Sequence, residues 1–468
     1  LRRLQGAAEY PPASAAPYDP DAAFPEFPGL KVAAVPNPVF ALVRDCLREL
    51  GLDAGRFGTR AWNPLGDLVR PGGKIVVKPN WVLHRNMGAG GMDCMVTHPA
   101  VLRAVLEYVF LARPAQVVLG DAPIQGCDFE RLLDFGGLRT VIAAFPARGL
   151  PLAVKDFRRT VMTEERGLKS VAEELRPESD YVLVDLGPDS WLEPISRDWK
   201  KFRVTVYDPR KMWAHHRPGR HRFLVARDIL AADLVVNVPK LKARKKAGIT
   251  CCLKNLIGIN GNKEYLPHHR KGAADSGAGD NYAHRQWQMG LAEDLLDAAN
   301  CLRGWPRVYR LCEKVVWHLF AKANKRDATA QLEGSWHGND TIWRTCLDLN
   351  RALLYAGPDG QMRETPQREE ISIVDAVVAG QGEGPLAPDP LATGAVFAAR
   401  NPAVGDYVGA ALLGFDSAQI PLLRHACDEI RWRICARPPA RLAFAPPFPA
   451  ARAPKGWAGH LEFPGRAG

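Results

Sequence analysis

Short apolar runs alternate with amphipathic stretches from about residue 70 to about residue 425. Lys74-Ile75-Val76-Val77-Lys78 follows the turn signal Pro71-Gly72-Gly73 and predicts a strand. Gln116-Val117-Val118-Leu119, Tyr181-Val182-Leu183-Val184, Leu234-Val235-Val236-Asn237 and Ile371-Ser372-Ile373-Val374 predict others. Between them, Ala100 to Leu111 sets Val101, Val105 and Val109 on one helical face. Asp228 to Ala231 predicts a short helix, and Asn401-Pro402 opens one that runs to Leu413. Short apolar strands separated by helices predict an α/β fold, a mostly parallel sheet flanked by helices. Residues 283–353, rich in Trp and Leu, predict a helical insertion between core segments 30–282 and 354–436. Residues 1–29 read as an extended Ala/Pro-rich arm whose Tyr10, Tyr18, Phe24 and Phe27 can dock on the body. The Pro/Ala/Arg-rich tail, 437–468, is expected to be poorly ordered.

Composition narrows the class. The 468 residues are 47% hydrophobic and 24% charged, which excludes a disordered chain or a small disulfide scaffold. A net charge of +11 suggests anionic partners. The ten cysteines contain no C-x-x-C or C-x-x-x-C spacing, so no iron–sulfur cluster or zinc ribbon is expected. Scattered thiols fit a reducing, cytoplasmic setting. No apolar run approaches the roughly 20 residues of a membrane span, and the start, Leu1-Arg2-Arg3-Leu4, lacks the apolar stretch of a signal peptide.

Polar residues recur just past the strand ends, where open α/β sheets place their ligand crevice. Lys78, Asn80, Asp121, Asn237, Lys240, Lys242, Asp375 and Glu383 can therefore share one cleft. The run Lys240 to Lys246 holds five cations in seven residues, and Lys254-Asn255 follows the Gly248 turn. Such lysines suit a phosphate or carboxylate. No aromatics interleave with the charges, so specific nucleic-acid binding is not expected. Thr97 is placed to cap a helix while His98 faces the cleft. His215-His216 and His268-His269 neighbour Arg and Lys, which favours anion contact or proton transfer over a metal, and no metal ligands are assigned. Gly279-Asp280-Asn281-Tyr282 reads as a mobile loop. No P-loop, dinucleotide fingerprint or nucleophile elbow is present.

The segments VVKPNWV, THPAVLRAV, GDAP, ADLVVNVPKLKARKKAGITCCLKNLIGINGNKEYLPHHR, IVDAVVAGQGEGP and NPAVGDYVGAALLG, in that order, resemble the DUF362 family, a domain of unknown function. The long form with GRHR and LPHHR resembles members found beside cell-surface polysaccharide genes. Many relatives carry ferredoxin-like modules, and this chain lacks their cysteines. The resemblance implies functional weight at Thr97 and His98, at Lys78, Asn80, Asn237, Lys240, Lys242, Lys254 and Asn255, and at Asp121, Asp375, Glu383 and Asp406.

The reading that follows is a cytoplasmic enzyme acting on an anionic, phosphorylated or carboxylated small molecule. His98 would be the acid and Asp121 or Glu383 the base. Lys78, Asn80, Thr97, Asn237, Lys240, Lys242, Lys254, Asn255, His268 and His269 would bind the substrate. A metal- or cofactor-dependent redox protein and a non-catalytic scaffold are the alternatives. The cofactor, reaction type and oligomeric state are not specified by the sequence.

Overall fold

A computed structural model describes the chain except residues 4–8, 36, 166–167, 205–206, 302–305, 327–332, 438, 440–449 and 464–468. The elements used below are β1 (Arg2–Arg3), α1 (Pro38–Glu49), β2 (Lys74–Pro79), α2 (Pro99–Leu111), β3 (Gln116–Asp121) and β4 (Leu152–Asp156). They continue with β5 (Tyr181–Asp185), β6 (Arg220–Ala226), β7 (Leu234–Val238), β8 (Lys240–Arg244), β9 (Gly248–Thr250) and α3 (Cys252–Asn255). The last are α4 (Trp287–Cys301), α5 (Pro306–Arg326), α6 (Ile342–Tyr355), β10 (Glu369–Glu383), β11 (Ala387–Ala399) and α7 (Pro402–Leu413).

The main sheet runs β1-β11-β10-β7-β2-β3-β4. Strands β10, β7, β2, β3 and β4 are mutually parallel, while β11 and β1 add an antiparallel edge. The strands are apolar at consecutive positions because both faces are covered. Ile75, Val77, Val117, Leu119, Leu234 and Val236 face a core shared with α1 and α2. Val76, Val118, Val235 and Val374 face the opposite core, shared with α3, α6 and α7. The sheet is therefore mostly parallel with helices on both sides, as the hydrophobic pattern predicts.

Tyr181–Asp185, read above as one more strand of the series, pairs instead with β6 in a small separate sheet. Within 283–353, α4 and α5 form a helical pair with its own small core, whereas Ile342, Cys346, Leu349 and Leu353 of α6 belong to the main core. Of the tail expected to be poorly ordered, residues 450–463 lie against the body, while 438, 440–449 and 464–468 lie outside the described residues. Trp457 and Leu461 are buried over the β8–β9 turn, and Trp457 Nε1 donates to Lys245 O at 2.7 Å. That turn needs Ala247 and Gly248 at φ 74° and 75°. Residues 280–282 are also fixed: Asp280 is buried and accepts from the Thr341 hydroxyl at 2.6 Å, so the expected mobile loop is a packed one.

Candidate functional site

The strand ends converge on a buried polar hub. Lys78, at the end of β2, donates from Nζ to Asp121 Oδ1 at 2.8 Å and to Asn255 Oδ1 at 3.2 Å. Asp121, at the end of β3, also accepts from the backbone of Trp81 and Ala122 at 2.7 and 2.8 Å. Burial opposes both charges of the Lys78–Asp121 pair, and each partner offsets that cost for the other. Asn255 links three chain segments: its Oδ1 accepts from Asn80 Nδ2 at 2.8 Å, and its Nδ2 donates to Asn237 Oδ1 at 2.8 Å. Lys242 completes the hub by donating to Asn80 Oδ1 and to the carbonyl of Met95. Gly258 allows the chain after α3 to cross this hub. A Cβ there would lie 2.0 Å from Asp121 Oδ1 and 2.8 Å from Lys78 Nζ.

A second cluster adjoins α2. Asp375 lies on β10 opposite Lys240, and their side chains pair at 2.7 Å. The other Asp375 oxygen accepts from the Tyr10 hydroxyl, which in turn accepts from Lys240 Nζ. Tyr10 stacks on His98 with ring centroids 3.8 Å apart and planes 5° apart. His98 caps α2: its Nδ1 accepts from Ala100 N at 3.1 Å, and its own N–H donates to Asp375 at 2.9 Å. Burial, reinforced by Lys240, holds this imidazole neutral well below the usual pKa. Thr97 is not the cap. Its hydroxyl donates to Val238 O at 2.6 Å and accepts from Asn80 N at 2.8 Å, tying β7 to the loop after β2.

A third group is cationic. Arg244 ends β8, Lys254 lies on α3, and Lys263 opens a 3₁₀ turn. Among the described residues none of the three forms an ion pair. Arg244 has only the Thr250 hydroxyl, at 3.5 Å. Lys254 is 4% exposed, while Arg244, Lys246, Lys263 and His268 keep partial exposure around it. Burial, with Arg244, Lys263 and Lys246 adding to it, lowers the Lys254 amine to about 7. Burial and neighbouring cations lower Lys263 to about 8, although Asp121 partly counters them. Burial lowers Arg244 to about 10. His268 is driven down by burial and by Lys246 and Lys254, and its Nδ1 meets Leu266 O at 2.7 Å.

The structure thus joins Lys78, Asn80, Asp121, Asn237, Lys242 and Asn255 in the hub, Thr97 at its margin, and His98 with Lys240 in the adjoining cluster. Lys254 and His268 fall in the cationic group, and His269 is buried with Lys246 and Arg203 acting on it. Glu383 does not enter the hub. It pairs with Lys245 at 2.7 Å and accepts from Lys455 N at 2.9 Å, where the tail meets the hairpin. Arg244 was visible only as part of a charge run, and Lys263 carried no local signal. Elsewhere, Cys251, Cys252 and Asp406 bring their ligand atoms within 4.8 Å of one another, with the two sulfurs 3.7 Å apart. Among the described residues, no helix is long and apolar enough to cross a membrane.

The sequence model of DUF362, a domain of unknown function, matches residues 75–183 and 195–411. No curated protein matches the chain significantly. Among solved structures, a crystal structure of a Thermotoga maritima protein from a structural genomics consortium is similar at 9% identity and a TM-score of 0.28. The alignment covers 75% of this chain and 54% of that one, so the match spans about half of the longer protein.

Proposed function

The chain belongs to the DUF362 family, and from that premise and the site chemistry we propose that it is an enzyme acting on a small polyanion held by Arg244, Lys254 and Lys263. The observation that carries this reading is a cluster of three cations, Lys254 buried and Arg244 and Lys263 half-buried, with no ion-pair partner among the described residues. Unpaired buried charge is expensive and concentrates at functional sites. A phosphate or carboxylate supplies the missing counter-charge, and Arg244 offers it a planar fork. Lys254, with its amine close to neutrality, is suited to take up or return a proton on the bound molecule. It takes the base role that Asp121 cannot fill while locked to Lys78 and two backbone amides. The substrate class is phosphorylated or carboxylated small molecules, including the sugar intermediates of cell-surface polysaccharides.

Isothermal titration with inorganic phosphate, pyrophosphate and citrate tests the reading. Saturable binding to the wild type is expected, with loss of binding in folded Arg244→Met and Lys254→Met variants. Failure of all three anions to bind, or full affinity in both variants, refutes it.

The Cys251, Cys252 and Asp406 group favours a second reading, a bound thiophilic cation. Elemental analysis of anaerobically purified protein decides it: a stoichiometric metal that is lost in Cys252→Ser supports this reading, and a metal-free protein removes it.

A further inference from the structure

Two helices expose an unusual amount of apolar surface. α4 and α5 share a small core of Met289, Ala292, Val316, Phe320 and Ala323, which uses one side of each helix. Outside that core Trp287 and Leu311 are each 66% exposed, and Trp317, 53% exposed, lies on a different flank of α5 from Leu311. Leu291, Val308 and Val315 are exposed as well. Isolated surface leucines need no explanation, but exposed Trp and Leu concentrated on one helical pair mark an interaction surface.

The charges on the same helix say what kind of partner fits. Val308, Leu311 and Val315, spaced i, i+3 and i+7, form one exposed row of α5. Arg310 and Lys314, also exposed, form the row beside it. The sequence of α5 carries six basic residues against one acidic residue, Glu313. Two copies docked through this face about a two-fold axis would bring like charge onto like charge. An anionic lipid surface instead neutralises the basic row, accepts the apolar row at its headgroup boundary and suits exposed Trp.

We propose that the α4–α5 pair is a docking surface for anionic membrane lipid, with Leu311, Val315 and Trp287 entering the headgroup boundary and Arg310 and Lys314 meeting lipid phosphates. None of the anion-pocket residues lies on these helices, so the inference is independent of the proposed enzyme.

The test is flotation of the full chain with phosphatidylcholine vesicles, with or without phosphatidylglycerol. The wild type should float with the phosphatidylglycerol vesicles alone, show a blue-shifted Trp emission and be released by high salt. Leu311→Glu and the pair Arg310→Glu/Lys314→Glu should each weaken binding roughly tenfold or more, with unchanged circular dichroism. Three results overturn the proposal: no flotation of the wild type, flotation that survives both variants, or a solution dimer that Leu311→Glu dissociates.

Discussion

Lys254 sits nearly sealed, 4% exposed, with no carboxylate of the described chain to answer its charge. Its amine, lowered to about 7 from 10.5, means that the folded state binds fewer protons than the unfolded chain between those values. Charging it in the folded state therefore costs most below pH 7, and the cost shrinks as pH rises toward 10.5. Lys254→Met is expected to raise unfolding stability by about 1 kcal/mol or more at pH 6, and by progressively less toward pH 10, as read by urea denaturation. The opposite sign is expected at Lys78, whose partner would be stranded. Lys78→Met leaves the Asp121 carboxylate buried on two backbone donors and should cost about 3–5 kcal/mol in the same assay. Lys254 was legible beforehand because a Lys-Asn pair after a glycine turn is a distinct local signal. Lys263 was not, because it is a single lysine in a polar stretch and reaches the pocket only through the turn that carries it.

At the scale of elements, much depends on the crossing of the α3 segment over the ends of β2 and β3. Gly258→Ala would drive a methyl into the Lys78–Asp121 pair and is expected to destabilise the fold by about 3 kcal/mol or more, measured as a loss in the thermal midpoint. Tyr10 is the corresponding lever on the other cluster. Tyr10→Ala uncovers one face of His98, so the imidazole should titrate closer to its ordinary 6.5, as followed by NMR, while in the wild type it stays neutral far below that. The β2, β3, β7 and α2 segments were plain in the sequence because their apolar residues are consecutive or helically spaced. β8 was hidden: its alternating lysines look solvated, yet Lys240 and Lys242 are buried and spend their charge on Asp375, Asn80 and a carbonyl. Local hydropathy cannot show a lysine whose partners come from other strands.

For the whole molecule, the sheet and its two covered faces followed from pattern, but its antiparallel edge did not. β11 contains Pro388, Pro390 and Gly394, which read as loop residues, and it is held by pairing to the long β10. The same long-range construction predicts a global response to anions. Sulfate, a dianion at both pH values, should raise the melting temperature more at pH 6 than at pH 9. At pH 6 Lys254 and Lys263 are protonated, and at pH 9 both have largely lost the charge that binds it. An equal shift at both values would remove these lysines from the binding site.

The clasp of Tyr10 on Asp375 also sets a chronology. The two residues are 365 positions apart, so during synthesis the tyrosine leaves the ribosome first and its partner follows after roughly 20–70 seconds at ~5–20 residues per second. Asn255 is made about two-thirds of the way through that wait, 177 positions after Lys78. The nascent chain can therefore assemble the polar hub while Tyr10 is still unattached, and the Tyr10 segment is among the last of the described residues to find its place.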